Sequence, residues 1–162
     1  VFGSPNNRRR GEISLCEADE LAAEFFGVAA SICAEMDCVI ALEHNPVEYG
    51  CDFITNARDA KALVDTINHK AFKLHIDSGG LYMCGSNIHN EIVNLKEFSH
   101  FHASEPMLAP IYGGKVDFTE VASSLHSSGY KGWVSIEMKC VDDMQVLFNS
   151  VKKVEQSLAG VI

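Results

Sequence analysis

Glu43, Asp77, His102 and Glu137 are the residues of this chain best placed to do chemistry. Each lies at the end of a short apolar run that reads as a β-strand: CVIALE, FKLHID, SHFHAS and GWVSIE. Loop-forming residues and then a helical pattern follow each run. Three carboxylates and one imidazole therefore leave the exit ends of successive strands. In a barrel of parallel strands those ends converge on one mouth, where active sites sit. Three oxygen donors and one nitrogen suit a hard or borderline divalent cation such as Mn²⁺, Mg²⁺, Co²⁺ or Zn²⁺.

Strand phase agrees with this reading, because side chains alternate faces along a strand. Ala41, Glu43 and Asn45 share one face, with Ile40 and Leu42 on the other. His75 and Asp77 lie together, opposite Leu74 and Ile76. His100, His102 and Ser104 form a third polar set, and Trp133, Ser135 and Glu137 a fourth, opposite Val134 and Ile136. A sheet buried evenly on both sides would not need such a division. The aliphatic face is expected under helices and the polar face inside a barrel, near its mouth.

The elements that position these residues alternate strand and helix. Val1–Gly3 reads as the tail of a first strand, followed by the loop SPNNRRRGE. A helix is expected from about Ser14 to Met36, with Leu15, Leu21, Ala22, Phe25, Val28, Ala29 and Ile32 as a core stripe. A strand over Cys38–Glu43 comes next, then a helix opening at Thr55 or Asn56. The strand Phe72–Asp77 leads to a Gly79-Gly80 turn and a helix over Ile88–Phe98. His100–Ser104 forms a strand, Asp117 caps a helix to about Ser127, Trp133–Met138 forms a strand, and the last helix covers about Asp142–Leu158. This order argues for right-handed βαβ units in a parallel sheet. A full barrel of eight units takes about 250 residues, and this chain has 162. The expectation is one α/β domain over residues 1–162: a partial TIM-type (β/α) barrel of about five units. The first strands are expected to be missing, with the chain starting mid-protein.

Composition narrows the function. Net charge is −9 and the pI is near 5.1, whereas nucleic-acid binders carry a basic footprint. The basic cluster Arg8, Arg9 and Arg10 reads as a solvated loop or, more sharply, as an anion site for a sugar phosphate. No apolar run approaches the ~20 residues of a membrane span, and no signal peptide is visible at the start. The six cysteines form no CxxC pair. Reduced thiols in a cytoplasmic protein are expected. No glycine-rich dinucleotide fingerprint follows a strand.

The runs IALEHNP, KLHIDSGG, HFHASE and GWVSIEM, in this order, resemble the second half of the xylose isomerase-like TIM barrels. The nearest branch is the sugar phosphate isomerase/epimerase group. Separations of 34 residues from Glu43 to Asp77, 25 to His102 and 35 to Glu137 are close to that group's. The opening VFGSPNNRRR resembles its fourth strand and loop. The resemblance implies one divalent metal, Mn²⁺ foremost, on Glu43, Asp77, His102 and Glu137. It makes Glu43 and Glu137 an acid/base pair as well. The activity implied is a sugar or sugar-phosphate isomerase or epimerase, with carboxylates moving a proton through a metal-stabilised enediolate. A keto-sugar or cyclitol dehydratase on the same fold, or a non-catalytic truncated barrel, are the alternatives.

Departures from the family pattern refine the reading. Gly80 stands where epimerases of the group carry a histidine, and Leu108 where they carry an arginine. The loop MLAPIYGGK lacks the Asp-x-His of the apurinic-site endonucleases, so nucleic acid is not the expected partner. Asn45, Glu105 and Arg8 are the expected substrate contacts. His75 and His100 read as interior or ligand-orienting residues, His44, His69, His89 and His126 as surface residues, and Trp133 as filler of the barrel base. Exposed strand edges would favour a homo-oligomer.

Overall fold

The first helix begins where its capping residues put it. In the computed structural model, which describes residues 1–159, α1 spans Leu15–Glu35. The Glu17 N–H donates to Ser14 Oγ at 3.2 Å, and the Ser14 N–H donates back to the Glu17 carboxylate at 2.9 Å. This reciprocal box satisfies two N–H groups that a helix start otherwise leaves without partners. The bonds from Ser14 also hold the Glu17 carboxyl below its ordinary range.

The chain divides into two compact units, Val1–His75 and the segment from Ile76 onward, and the division falls inside a strand. In the first unit β1 (Ile40–Leu42) and β2 (Phe72–Asp77) pair in parallel, Ile40 opposite Phe72 and Leu42 opposite Leu74. Between them lies α2 (Ala57–Ile67), capped by Asn56, whose side chain accepts the Asp59 N–H at 3.0 Å. The strand expected over residues 1–3 is a single bridge. Phe2 donates to Ala41 O at 2.7 Å and accepts from the Glu43 N–H at 3.2 Å. Leu42, Ala60, Phe72 and Leu74 are buried. Phe26 of α1 stacks on Phe72 with ring centroids 4.8 Å apart.

The apolar stripe expected to bury α1 does not do so. Leu15, Leu21, Phe25, Val28 and Ile32 are all more than half exposed, and Ala18, Phe26 and Ala30 form the buried side. Helical periodicity finds the apolar face but not what covers it, and within this unit's described residues no element buries this stripe.

The second unit continues with α3 (Ser78–Met83), a short helix where the sequence suggested a Gly79-Gly80 turn. Asp77 caps it by accepting the Gly80 N–H at 2.6 Å. Gly79 allows the close approach: a Cβ there would lie 2.6 Å from the Glu105 carbonyl. Next comes α4 (Ile88–Leu95), shorter than expected because Lys96 and Glu97 take positive φ of 34° and 54°. β3 (Phe98–Ser104) follows, then α5 (Phe118–Ser128), β4 (Trp133–Glu137) and α6 (Met144–Leu158). β3 and β4 pair in parallel, with His102 opposite Ser135 and Ser104 opposite Glu137. Ile76, Ile92, Phe101, Ile111 and Leu125 are buried.

Trp133 does not fill a barrel base; it is 81% exposed. It opens β4, and the side of β4 away from β3 has no partner within this unit's described residues. His44 corrects a further expectation, being buried rather than at the surface. Among the described residues no helix is long and apolar enough to cross a membrane.

Candidate metal centre

In the first unit the site residue is Glu43, one position past the end of β1. The register that sets Leu42 opposite Leu74 carries Glu43 beside His75. The His75 Nε2 lies 3.3 Å from Glu43 Oε1, and His75 is fully buried. Gly3 leaves room for the other carboxylate oxygen: a Cβ there would stand 1.7 Å from Glu43 Oε2. Arg8 fixes the backbone at the same point. Its guanidinium donates to Phe2 O at 2.9 Å and to Glu43 O at 3.2 Å. So this carboxylate is bounded by an imidazole and a glycine, above a main chain pinned by arginine.

The second unit brings three of the sequence-selected residues together. Asp77 ends β2, His102 lies in β3 and Glu137 ends β4, and one potential ligand atom from each falls within 4.8 Å of the others. The His102 Nδ1 is 3.2 Å from Glu137 Oε2. The His102 side chain is 13% exposed and that of Glu137 42%, whereas Asp77 is buried. The His100 ring stands edge-on to His102 with centroids 5.3 Å apart.

Ser104 orients Asp77, a role that sequence reasoning missed. Its hydroxyl donates to Asp77 Oδ2 at 2.5 Å and accepts the Gly79 N–H at 2.9 Å. Ser78 closes the arrangement by donating to Ser104 O at 2.8 Å. Both Asp77 oxygens thus accept hydrogen bonds, Oδ1 from the Gly80 N–H and Oδ2 from Ser104. The signal available was phase alone, because Ser104 follows His102 by one strand period.

Do these residues fit a metal ion? Bonds of about 2.0–2.2 Å keep the ligand atoms of one cation within roughly 4.4 Å of each other. The Asp77, His102 and Glu137 atoms approach that limit. The Ser104 bond to Asp77 is the kind of outer contact that fixes a ligand's orientation. The donor set fits.

The other expected contacts are placed as follows. Glu105 is buried, and its carboxylate accepts the N–H groups of Lys115 (2.7 Å) and Val116 (3.1 Å). Burial raises its pKa, while those two bonds act in the opposite direction. Arg8 is buried rather than solvated, and burial lowers its pKa. Arg9 donates to Gly50 O at 3.0 Å and Arg10 to Ile13 O at 2.9 Å. The three arginines line a cavity of about 430 Å³ with Phe2, Leu21 and Phe25. Neither Glu43 nor His75 lines it. Asn45 is buried, and its side-chain nitrogen has no hydrogen-bond partner among the described residues.

Comparison with known proteins places the chain. Residues 1–160 match the family model described as xylose isomerase-like TIM barrel. The chain belongs to that family. Among solved structures it superposes on the 3-keto-D-glucoside 4-epimerase of E. coli with a TM-score of 0.81 at 18% identity, covering 90% of this chain and 56% of that one. An L-ribulose 3-epimerase gives 0.81 at 14% identity, covering 95% and 58%. The IOLI protein with a bound zinc atom gives 0.73 at 19%, covering 95% and 61%. These likenesses establish the fold, and the chain spans somewhat over half the length of each. No match is found among curated proteins.

Proposed function

We propose that Glu43, Asp77, His102 and Glu137 hold one divalent cation, and that the intact protein isomerises or epimerises a small sugar or sugar phosphate. The observation that carries the reading is the Asp77–His102–Glu137 cluster, with Asp77 oriented by Ser104. The family resemblance adds Glu43 as the fourth ligand. A bound cation would supply Lewis-acid polarisation of substrate oxygens. Mn²⁺ is the first candidate; Mg²⁺, Co²⁺ and Zn²⁺ suit the same donors, and one structural relative carries zinc.

The residues' own work is proton transfer. A carboxylate near the substrate removes a proton from carbon next to a carbonyl, and a second carboxylate returns one. Glu137, with 42% of its side chain exposed, is open to such a substrate. Glu43, held between His75 and Gly3, is the more confined of the pair. Return to a neighbouring atom gives isomerisation; return from the opposite face gives epimerisation. Asn45 can donate its side-chain N–H to a sugar hydroxyl. Arg8 and Glu105 enter the reading as groups that shape loops, Arg8 through its Nη2 and Glu105 through both carboxylate oxygens.

Thermal melting with and without Mn²⁺ tests the site directly. Saturation at about 100 times Kd adds about 2.7 kcal/mol of stability. The parent is expected to melt higher with Mn²⁺ and His102→Ala to be unmoved; equal shifts in both would reject the cluster as the binding site. Activity is tested on a panel of sugars and sugar phosphates with the protein including any upstream units. Glu43→Gln and Glu137→Gln are each expected to lose about 10²–10⁴-fold in rate, and full activity in both would sink the acid/base reading. A dehydrated product in place of an isomer would assign a lyase. Self-association, suggested by the exposed face of α1, would appear as a dimer in sedimentation.

A further inference from the structure

α1 ends in a motif that sets two cysteines against each other. Met36 is the last half-helical residue and Asp37, at φ 52°, turns left-handed. The Cys38 N–H then donates back to Cys33 O at 2.9 Å, and the Asp37 N–H to Ala34 O at 3.4 Å. These paired bonds define the Schellman ending of a helix, in which the side chains at the two ends of the longer bond meet. An apolar contact normally fills that position. Here both residues are cysteines. Cys38 is exposed, Cys33 is half-buried, and neither is in a disulfide. The neighbouring Cys38 thiol is the chief influence that raises the Cys33 pKa above the ordinary thiol value.

We propose that Cys33 and Cys38 form a dithiol site that closes reversibly to a disulfide by exchange with a low-molecular-weight disulfide. The backbone bond joining the two residues favours the α-carbon separation of about 4.4–6.8 Å that a disulfide requires. Exposed Cys38 meets the reagent first. Its thiolate attacks one sulfur of the reagent, the reagent's S–S bond breaks, and one thiolate leaves. The Cys33 thiolate then attacks the Cys38 sulfur and expels the second. Two protein thiols are oxidised, one reagent disulfide is reduced to two thiols, and the protons released by the cysteines pass to them. Cys16 instead bonds to Glu20, and Cys51 is buried and bonds to Pro5 O.

Two small apolar side chains filling the motif would also explain the contact, and the experiment separates the cases. The protein is equilibrated in glutathione buffers of graded redox ratio, blocked by alkylation and digested by a protease that cuts after glutamate. Glu35 lies between the two cysteines, so only a disulfide keeps Phe25–Glu35 attached to Met36–Glu43. The expected product is this linked pair, two hydrogens lighter than the separate peptides, while exposed Cys140 carries glutathione. In Cys33→Ser the glutathione on Cys38 should persist, because the resolving thiol is gone. Separate glutathionylated peptides in the parent, or equal loss of glutathione from Cys38 in parent and variant, would overturn the proposal.

Discussion

The carboxylate of Glu43 depends on a neighbour that no motif announces. His75 sits beside it because the β1–β2 ladder pairs Leu42 with Leu74, and the next residues along follow. Replacing an outer contact of a metal ligand typically costs about 10–100-fold in affinity. His75→Leu is therefore expected to weaken Mn²⁺ binding by that factor, measured by calorimetric titration, with the apo protein still folded. Unchanged affinity would reduce His75 to a core residue. The sequence allowed part of this to be read. Strand phase put Glu43, Asp77, His102 and Glu137 on polar faces at strand ends, because alternation is a property of one strand. Ser104 on Asp77 and Gly3 against Glu43 are contacts between distant segments. They depend on register, and register is fixed by pairing that a lone strand does not display.

At the scale of elements, local chemistry was the readable part. Ser14, Asn56, Asp117 and Asp143 each cap a helix through the side chain, and Gly129 ends α5 at φ 73°. The entry into β4 is built differently. The Tyr130 hydroxyl donates to Trp133 O at 2.7 Å, and Gly132 makes room, since a Cβ there would lie 2.4 Å from that hydroxyl. Phe98 stacks on the same ring at 4.6 Å. Burial pushes the Tyr130 pKa up to about 12. A group that holds its proton more tightly when folded contributes stability fully below its unfolded pKa, about 10. That contribution fades as pH rises towards 12. Alkaline ultraviolet titration should show one of the four tyrosines ionising late, and Tyr130→Phe should abolish that step. A late step surviving in the variant would assign it elsewhere. The ends of α4 and β1 were less legible, because Lys96, Glu97 and Asp37 adopt positive φ without glycine.

For the whole molecule, apolar periodicity located every α-helix but the short α3 and misjudged one surface. Leu21, Phe25, Val28 and Ile32 recur at helical spacing yet stand exposed. A contiguous apolar patch of this kind binds other apolar surfaces. The native protein should enhance the fluorescence of a hydrophobic dye, and Phe25→Ser with Ile32→Ser should cut that enhancement severalfold; no change would place the dye elsewhere. The exposure of Trp133 has a consequence of another sort, for observation rather than energy. It is the sole tryptophan, and its indole is already in water at 81% exposure. Denaturation will scarcely shift its emission to the red, so an unfolding curve read by intrinsic fluorescence would look flat in a fully cooperative protein. The same residue is a sensitive lamp for the opposite event. Anything that covers the start of β4 will move its emission to the blue and shield it from soluble quenchers.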